Sequence, residues 1–181
     1  MDVEDWYQVE NLAEAIPRST WNQRESRIVQ NVERLIMLLD NADVKVTFFI
    51  VGHVARDFPE LIKKIADNGH EIASHGEDHR SLLTHTPSTF RSTIDNLKKY
   101  LEDLTGKQVI GYRAPSFTIV RETWWALDIL AECGYLYDSS VFPFKRSRYG
   151  VKDAQRDPHL ILLNNNLLCL NQFPRLGNTK S

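Results

Sequence analysis

Strand-like and helix-like segments alternate along this chain with short links between them, and that alternation limits the possible folds more than any other feature. A strand-helix-strand order implies parallel strands joined by right-handed crossovers. Residues 44–51 (VKVTFFIV) are rich in β-branched and aromatic side chains and stop at Gly52. Ahead of them Ile28, Val32, Leu35, Ile36 and Leu39 recur at helical spacing. Residues 59–68 predict a short helix, with Pro59 in its first turn and Gly69 past its end. Residues 70–74 (HEIAS) predict a strand. Phe90, Ile94, Leu97, Leu101 and Leu104 form the next helical stripe, closed by Gly106. Residues 108–112 predict a strand, 122–133 a helix ending at Gly134, and 135–137 a further strand.

Such units either wind an open sheet or close a barrel. No glycine-rich phosphate loop follows the first strong strand, which disfavours a dinucleotide-binding domain. The expected class is α/β, one domain over residues 1–181. Polar residues fall at the strand ends. Asp2, Glu4 and Asp5 end the first strand and His53 follows the second. His75 and His79 follow the third, Arg113 the fourth and Asp138 the fifth. In parallel β/α folds these ends form one face, where active sites lie.

His75-Gly-Glu-Asp-His79 places two imidazoles four residues apart, so they can converge on one ion if the segment turns helically. On spacing alone, two surface histidines are the commoner outcome. The strand end and the acidic cluster on the same rim favour a metal site. Two imidazoles and one carboxylate leave positions open for water and substrate, which suits catalysis better than a closed structural site. Strand alternation puts Asp2 and Glu4 on one face. A turn beginning at Glu4 would instead present Asp5, so the third ligand is Glu4 or Asp5. A remaining acid is then free to act as a general base. Arg113, one residue ahead of Ala114-Pro115, can hold a carboxylate in bidentate geometry. Asp138 can orient a second catalytic group, or it makes an Asx turn. Trp6, Tyr7, Phe117 and Phe142 are candidates to stack on sugar faces, whereas Trp124 and Trp125 lie within a helix and fit packing roles.

Composition narrows the partners. A net charge of −2 with no basic block argues against nucleic acid or a membrane surface. No apolar run approaches the ~20 residues needed to span a bilayer. Met1 is followed at once by acids, so no signal peptide is visible, and the two cysteines are too few for a disulfide framework. A cytoplasmic protein with reduced core cysteines is the expectation.

At the residues just described the sequence resembles the NodB-homology polysaccharide deacetylases, carbohydrate esterase family four. Asp2-Val-Glu-Asp5 resembles the first motif, in the form found in the peptidoglycan-deacetylase-like and exopolysaccharide-associated branch. Thr47-Phe-Phe is similar to the second-strand signature. Residues 68–79 (NGHEIASHGEDH) resemble the metal-binding motif, Arg113-Ala-Pro115 the third and Tyr137-Asp-Ser139 the fourth. The resemblance implies a deformed (β/α) barrel and hydrolysis of N-acetyl groups on the amino sugars of a polysaccharide or its precursor. It implies a divalent metal, usually zinc, held by His75 and His79. It makes Asp2 the base, Arg113 its orienting partner and Asp138 a support for the far side of the groove. Two alternatives are a hydrolase of small cyclic amides, like the imidase and allantoinase relatives, and a catalytically silent glycan-binding fragment.

The family's last motif, a histidine that protonates the leaving amine, has no good match after Asp138; His159 reads as a strand entry on the opposite face. The first strand is almost absent, and a complete barrel needs ~200 residues or more. The expectation is therefore a barrel incomplete at both ends. The leucine-rich segment 160–173 should partly cover its open edge as two short strands. An exposed apolar patch or a contact between identical copies is expected there.

Overall fold

The computed structural model of the protein describes residues 1–144, 146, 149–152, 154–164 and 166–170. Seven strands form one sheet in the order β1-β2-β3-β4-β5-β7-β6. They are β1 (Asp2–Val3), β2 (Thr47–Ile50), β3 (Glu71–Ser74), β4 (Gly111–Tyr112), β5 (Tyr137–Asp138), β6 (His159–Leu163) and β7 (Asn166–Leu170). The first five run parallel in sequence order, as the alternation requires. The helices are α1 (Ile28–Asn41), α2 (Gly52–Asp57), α3 (Pro59–Asp67), α4 (Pro87–Thr105) and α5 (Trp125–Glu132). Among the described residues the sheet does not close: β1 and β6 are its two edges.

Both faces of the central strands are buried, so β2 reads as an unbroken apolar run rather than an alternating one. Phe48, Ile50 and Ile72 face the helices, where they join Ile62, Ile65, Phe90, Ile94 and Leu97 in the main core. Phe49, Ala73 and Tyr137 face the other way and form a second, smaller cluster on the concave face, with Ile110 and Cys169 against it. The two longest helices contribute the stripes expected of them. Ile28, Val32 and Ile36 are buried on α1, and Phe90, Ile94, Leu97 and Leu101 on α4. Helix α4 begins with a Thr86/Thr89 capping box followed by Pro87. It stops at Gly106, whose φ of 66° is left-handed and whose N–H donates to the Glu102 carbonyl.

The tail departs from the parallel pattern. β7 pairs with β5 in parallel, but β6 folds back on β7 antiparallel, with Leu163 opposite Asn166. The link is too short for a crossover, and Asn164 takes a φ of 42°, the left-handed conformation that two-residue hairpins favour. Leu168 and Leu170 join the main core and Cys169 the concave cluster. Register places Leu160 opposite Cys169 and Leu162 opposite Leu167, so these leucines share the concave face. All three leucines are more than half exposed, which is the apolar patch expected beside the tail. Residues 171–173 of the leucine-rich segment lie outside the described residues.

β4 opens with a glycine for a steric reason. A Cβ on Gly111 would sit 2.1 Å from the Tyr137 ring. That ring is fixed by its place in the concave cluster and by a 2.9 Å hydrogen bond from its hydroxyl to Glu71 Oε1. Gly111→Ala is therefore an overpacking change in a rigid layer, and it should cost about 2 kcal/mol or more. Urea unfolding of the variant checks this; a midpoint equal to wild type would contradict it.

Candidate metal centre

The ends of β1, β3 and β4 build one polar cluster. β3 ends at Ser74, and His75 continues with its N–H on the Ile50 carbonyl at 2.8 Å. Gly76 then turns the chain with a φ of 74°. The turn is tied down from β2, because Gly52 N–H donates to Gly76 O at 2.9 Å and His53 N–H to Glu77 O at 2.7 Å. A Cβ on Gly52 would meet the Glu77 carboxylate at 2.4 Å, so that side chain would have to shift to admit one. The turn delivers His79 in the left-handed region at φ 55°. Holding a non-glycine residue there costs about 1 kcal/mol or more. Such a cost is usual where surrounding structure fixes a functional side chain.

His75 and His79 are both buried, with ring centroids 5.1 Å apart. One ligand atom each from Glu4, His75 and His79 lies within 4.8 Å of the others. The Nδ1 of His75 is 2.8 Å from the Arg113 carbonyl, so Nδ1–H donates to it and Nε2 keeps its lone pair for the cluster. Burial pushes the His75 imidazole down to about 4, with Asp2 pulling the other way, so the ring is neutral near pH 7. His79 Nε2 and Glu4 Oε2 make a close contact. Oε2 is nonetheless buried with no aligned hydrogen-bond donor among the described residues. Unpartnered buried ligand atoms converging in this way fit a divalent cation. The donor set of two imidazoles and one carboxylate suits zinc and neighbouring transition metals.

Asp2 stands beside the cluster. Its Oδ2 is 3.8 Å from His75 Nε2, and Arg113 Nη1 donates to its Oδ1 at 2.7 Å. Burial raises the Asp2 carboxyl, but His75 and Arg113 outweigh it and hold the group below its ordinary range. Arg113 is fixed on every side. Its Nη2 donates to Ser139 Oγ at 2.8 Å, its Nε to Ser139 O at 3.2 Å, and its guanidinium lies 4.0 Å from the Phe49 ring centre.

Three residues expected near the rim sit elsewhere. Asp5 is turned away from the cluster. It accepts hydrogen bonds from Trp6 N–H at 3.0 Å, from Arg27 N–H at 3.2 Å and from the Ser26 hydroxyl, bracing the start of α1. The chain leaves β1 after Val3, so Glu4 keeps the face of Asp2 and Asp5 takes the other. Asp138 is fully buried and does not line the cleft. It accepts from Ser140 Oγ at 2.5 Å and Ser140 N–H at 2.9 Å, while Ser140 Oγ accepts from Ala114 N–H at 2.7 Å. Burial pushes Asp138 up to about 6, opposed by the Ser140 bonds. It serves as a strut under the Arg113-Ala-Pro turn. His53 begins α2 and pairs with Asp57 at 3.3 Å, stacked edge-on against Trp21.

The cluster opens into a cleft of about 730 Å³ lined also by Ser81, Leu83, Ser116, Phe117, Arg146 and Tyr149. Ser116 and Phe117 both have positive φ, 52° and 54°, so this wall too is held in a costly conformation. Of the expected aromatic residues, Phe117 lines the cleft and Phe142 packs behind it, with ring centroids 6.0 Å apart. Tyr7 is buried against Trp21 and Trp6 is exposed. Among the described residues, the cleft holds no histidine besides His75 and His79; His159 faces a separate groove beside Arg121 and Trp124. Arg146 and Tyr149 had no sequence signal.

A mostly parallel α/β sheet thus carries a His-His-carboxylate cluster at its strand ends. The sequence profile of the polysaccharide deacetylases matches residues 19–137, and the chain belongs to that family. A peptidoglycan deacetylase-like protein of Gibberella zeae is 38% identical over 112 residues, 61% of this chain and 32% of its own length. A peptidoglycan deacetylase of Helicobacter pylori is 30% identical over 115 residues, 61% of this chain and 36% of its own length. A crystal structure of a Mycobacterium smegmatis protein assigned to the polysaccharide deacetylases superposes with a TM-score of 0.72 at 30% identity. It covers 94% of this chain and 55% of that one. The chain thus spans about a third of the length of these two curated relatives.

Asp5 and Glu4 can be separated by experiment. Asp5→Ala leaves buried donors unpaired and should cost about 1–3 kcal/mol of stability, with bound metal unchanged. Glu4→Gln should do the reverse. Thermal melts paired with elemental analysis check both, and metal loss in Asp5→Ala would move the ligand role to Asp5.

Proposed function

We propose that this chain carries the metal site of a zinc-dependent hydrolase that removes N-acetyl groups from amino sugars in a polysaccharide or its precursor. The observation that carries the proposal is the convergence of Glu4, His75 and His79 beside the Asp2–Arg113 pair, at the mouth of a cleft large enough for sugar rings. Family membership supports the reaction class. The first motif, residues 2–5, lies outside the matched segment, so the peptidoglycan-deacetylase-like branch is part of this proposal.

Glu4, His75 and His79 would hold the ion. When bound, a divalent ion supplies Lewis-acid polarisation of the acetamide carbonyl and eases loss of a proton from water. Asp2 then serves as the general base. Its Oδ1 is engaged by Arg113, which leaves Oδ2 facing the cluster to take the proton. Arg113 keeps the carboxylate ionised and fixes its direction, so little reorganisation is needed in the transition state. Phe117 offers a ring face for a sugar. Protonation of the leaving amine falls to a group outside the described cleft residues.

The purified chain should bind close to one equivalent of zinc, and His79→Ala should lose most of it. Zinc-loaded protein should release acetate from chitooligosaccharides, and Asp2→Asn should slow that release by about 10²–10⁴-fold while leaving zinc in place. Acetate release that is indifferent to both chelator and Asp2→Asn would overturn the proposal.

A further inference from the structure

The cleft is mixed in chemistry. Asp2, Glu4, His75 and His79 line it at the ligand cluster, and Glu10, Phe117, Tyr149 and Arg146 line it as well, Phe117 lying 5.8 Å from the Arg113 guanidinium. The segment bearing Arg146 is anchored. Val151 N–H donates to Phe142 O, and Arg146 N–H to Tyr149 O, each at 2.8 Å. The Phe117, Phe142 and Tyr149 rings pack together with centroids 5.5 to 6.1 Å apart. Phe144 extends this ring cluster and carries the Arg156 guanidinium 4.6 Å from its centre.

Several other described arginines already have partners. Arg18 and Arg80 pair with Asp78, Arg113 with Asp2, and Arg156 sits on Phe144. The Arg146 side chain is exposed and has no carboxylate, carbonyl or ring partner among the described residues. No other lysine or arginine among the described residues lines the cleft. A guanidinium presents paired N–H groups that match a carboxylate. A neutral sugar makes no use of that charge.

We propose that Arg146 is a specificity residue that recognises a carboxylate on the glycan, so that the cleft prefers an N-acetylated amino sugar bearing an acidic group, or adjoining an acidic sugar, over a neutral one. Phe117 and Tyr149 would receive the sugar face, and Arg146 would reach the acid at its rim. The inference rests on the glycan reading of this same cleft. The carboxylate has two possible sources, an ether-linked lactyl group as in muramic acid or a uronic acid, and the probes separate them.

The test is calorimetric titration of the zinc-loaded full chain with three probes: N,N′-diacetylchitobiose, the N-acetylglucosamine–N-acetylmuramic acid disaccharide, and a hyaluronan tetrasaccharide. In about 50 mM NaCl at least one acidic probe should bind about fivefold tighter than the neutral one, and the margin should shrink at about 0.5 M NaCl. Arg146→Ala should remove the margin and leave chitobiose binding unchanged. Arg146→Lys should retain part of it, since it keeps the charge but loses the fork. The acidic probe that wins identifies the source. Equal binding of acidic and neutral probes, a margin that survives in Arg146→Ala, or no measurable binding of any probe overturns the inference. A carboxylate margin without zinc-dependent acetate release would sink the deacetylase reading and leave this one standing.

Discussion

Arg113 is the residue on which the site's geometry depends, because it acts through both its backbone and its side chain. Its N–H joins Ser74 O at 2.9 Å and so continues the pairing of β4 with β3. Its carbonyl fixes the tautomer of His75, and its guanidinium fixes Asp2. One backbone position therefore couples an imidazole and a carboxylate that are far apart in sequence. The guanidinium cannot swing away, since Ser139 holds two of its nitrogens and Phe49 lies beneath it. A bidentate or stacked arginine is not replaceable by lysine at such a site.

The electrostatics follow from this arrangement. Two buried imidazoles near a carboxylate would be costly if charged, and burial keeps His75 neutral. Neutral nitrogen lone pairs and an ionised carboxylate are the forms a divalent cation needs. Asp138 shows the opposite case. It ends β5, fully buried, and burial raises it even though Ser140 donates to it twice. Two acids on strands of one sheet thus differ in character because one faces the cleft beside an arginine and the other is enclosed. The enclosed one, through Ser140 and the Ala114 N–H, supports the turn that carries the exposed one's partner.

Strand alternation and helical stripes made most of this fold readable in the sequence. Phe48 and Phe49 in an unbroken apolar run identify β2 as buried on both faces, and the Phe90 to Leu101 stripe identifies α4. Helix α2 escaped because six residues reading GHVARD carry no full helical stripe. The two leucine-rich runs were legible as strands, but their antiparallel pairing depends on the Asn164 turn rather than on hydrophobic pattern. The choice between Glu4 and Asp5 hung on where β1 gives way to a turn, which is a tertiary matter: Asp5 is drawn aside by donors from Trp6, Ser26 and Arg27. Asp138 read as a rim residue because position at a strand end says nothing of the loop folded over it.

The cleft combines two kinds of support, and they divide its work. The ligand end is built on strand termini and tight turns, where Gly52, Gly76 and the Ser74–Tyr112 register leave little freedom. Other lining residues, Phe117 and Tyr149 among them, sit on irregular segments held by ring packing and a few backbone bonds. Loops on a rigid scaffold are where recognition varies, because they change without disturbing the sheet. Arg146 had no periodicity, motif or spacing to announce it, since its meaning comes only from the cleft it faces. A chemistry set by strand ends can be read from sequence patterns, whereas a preference set by a loop residue has to be read from the folded surface.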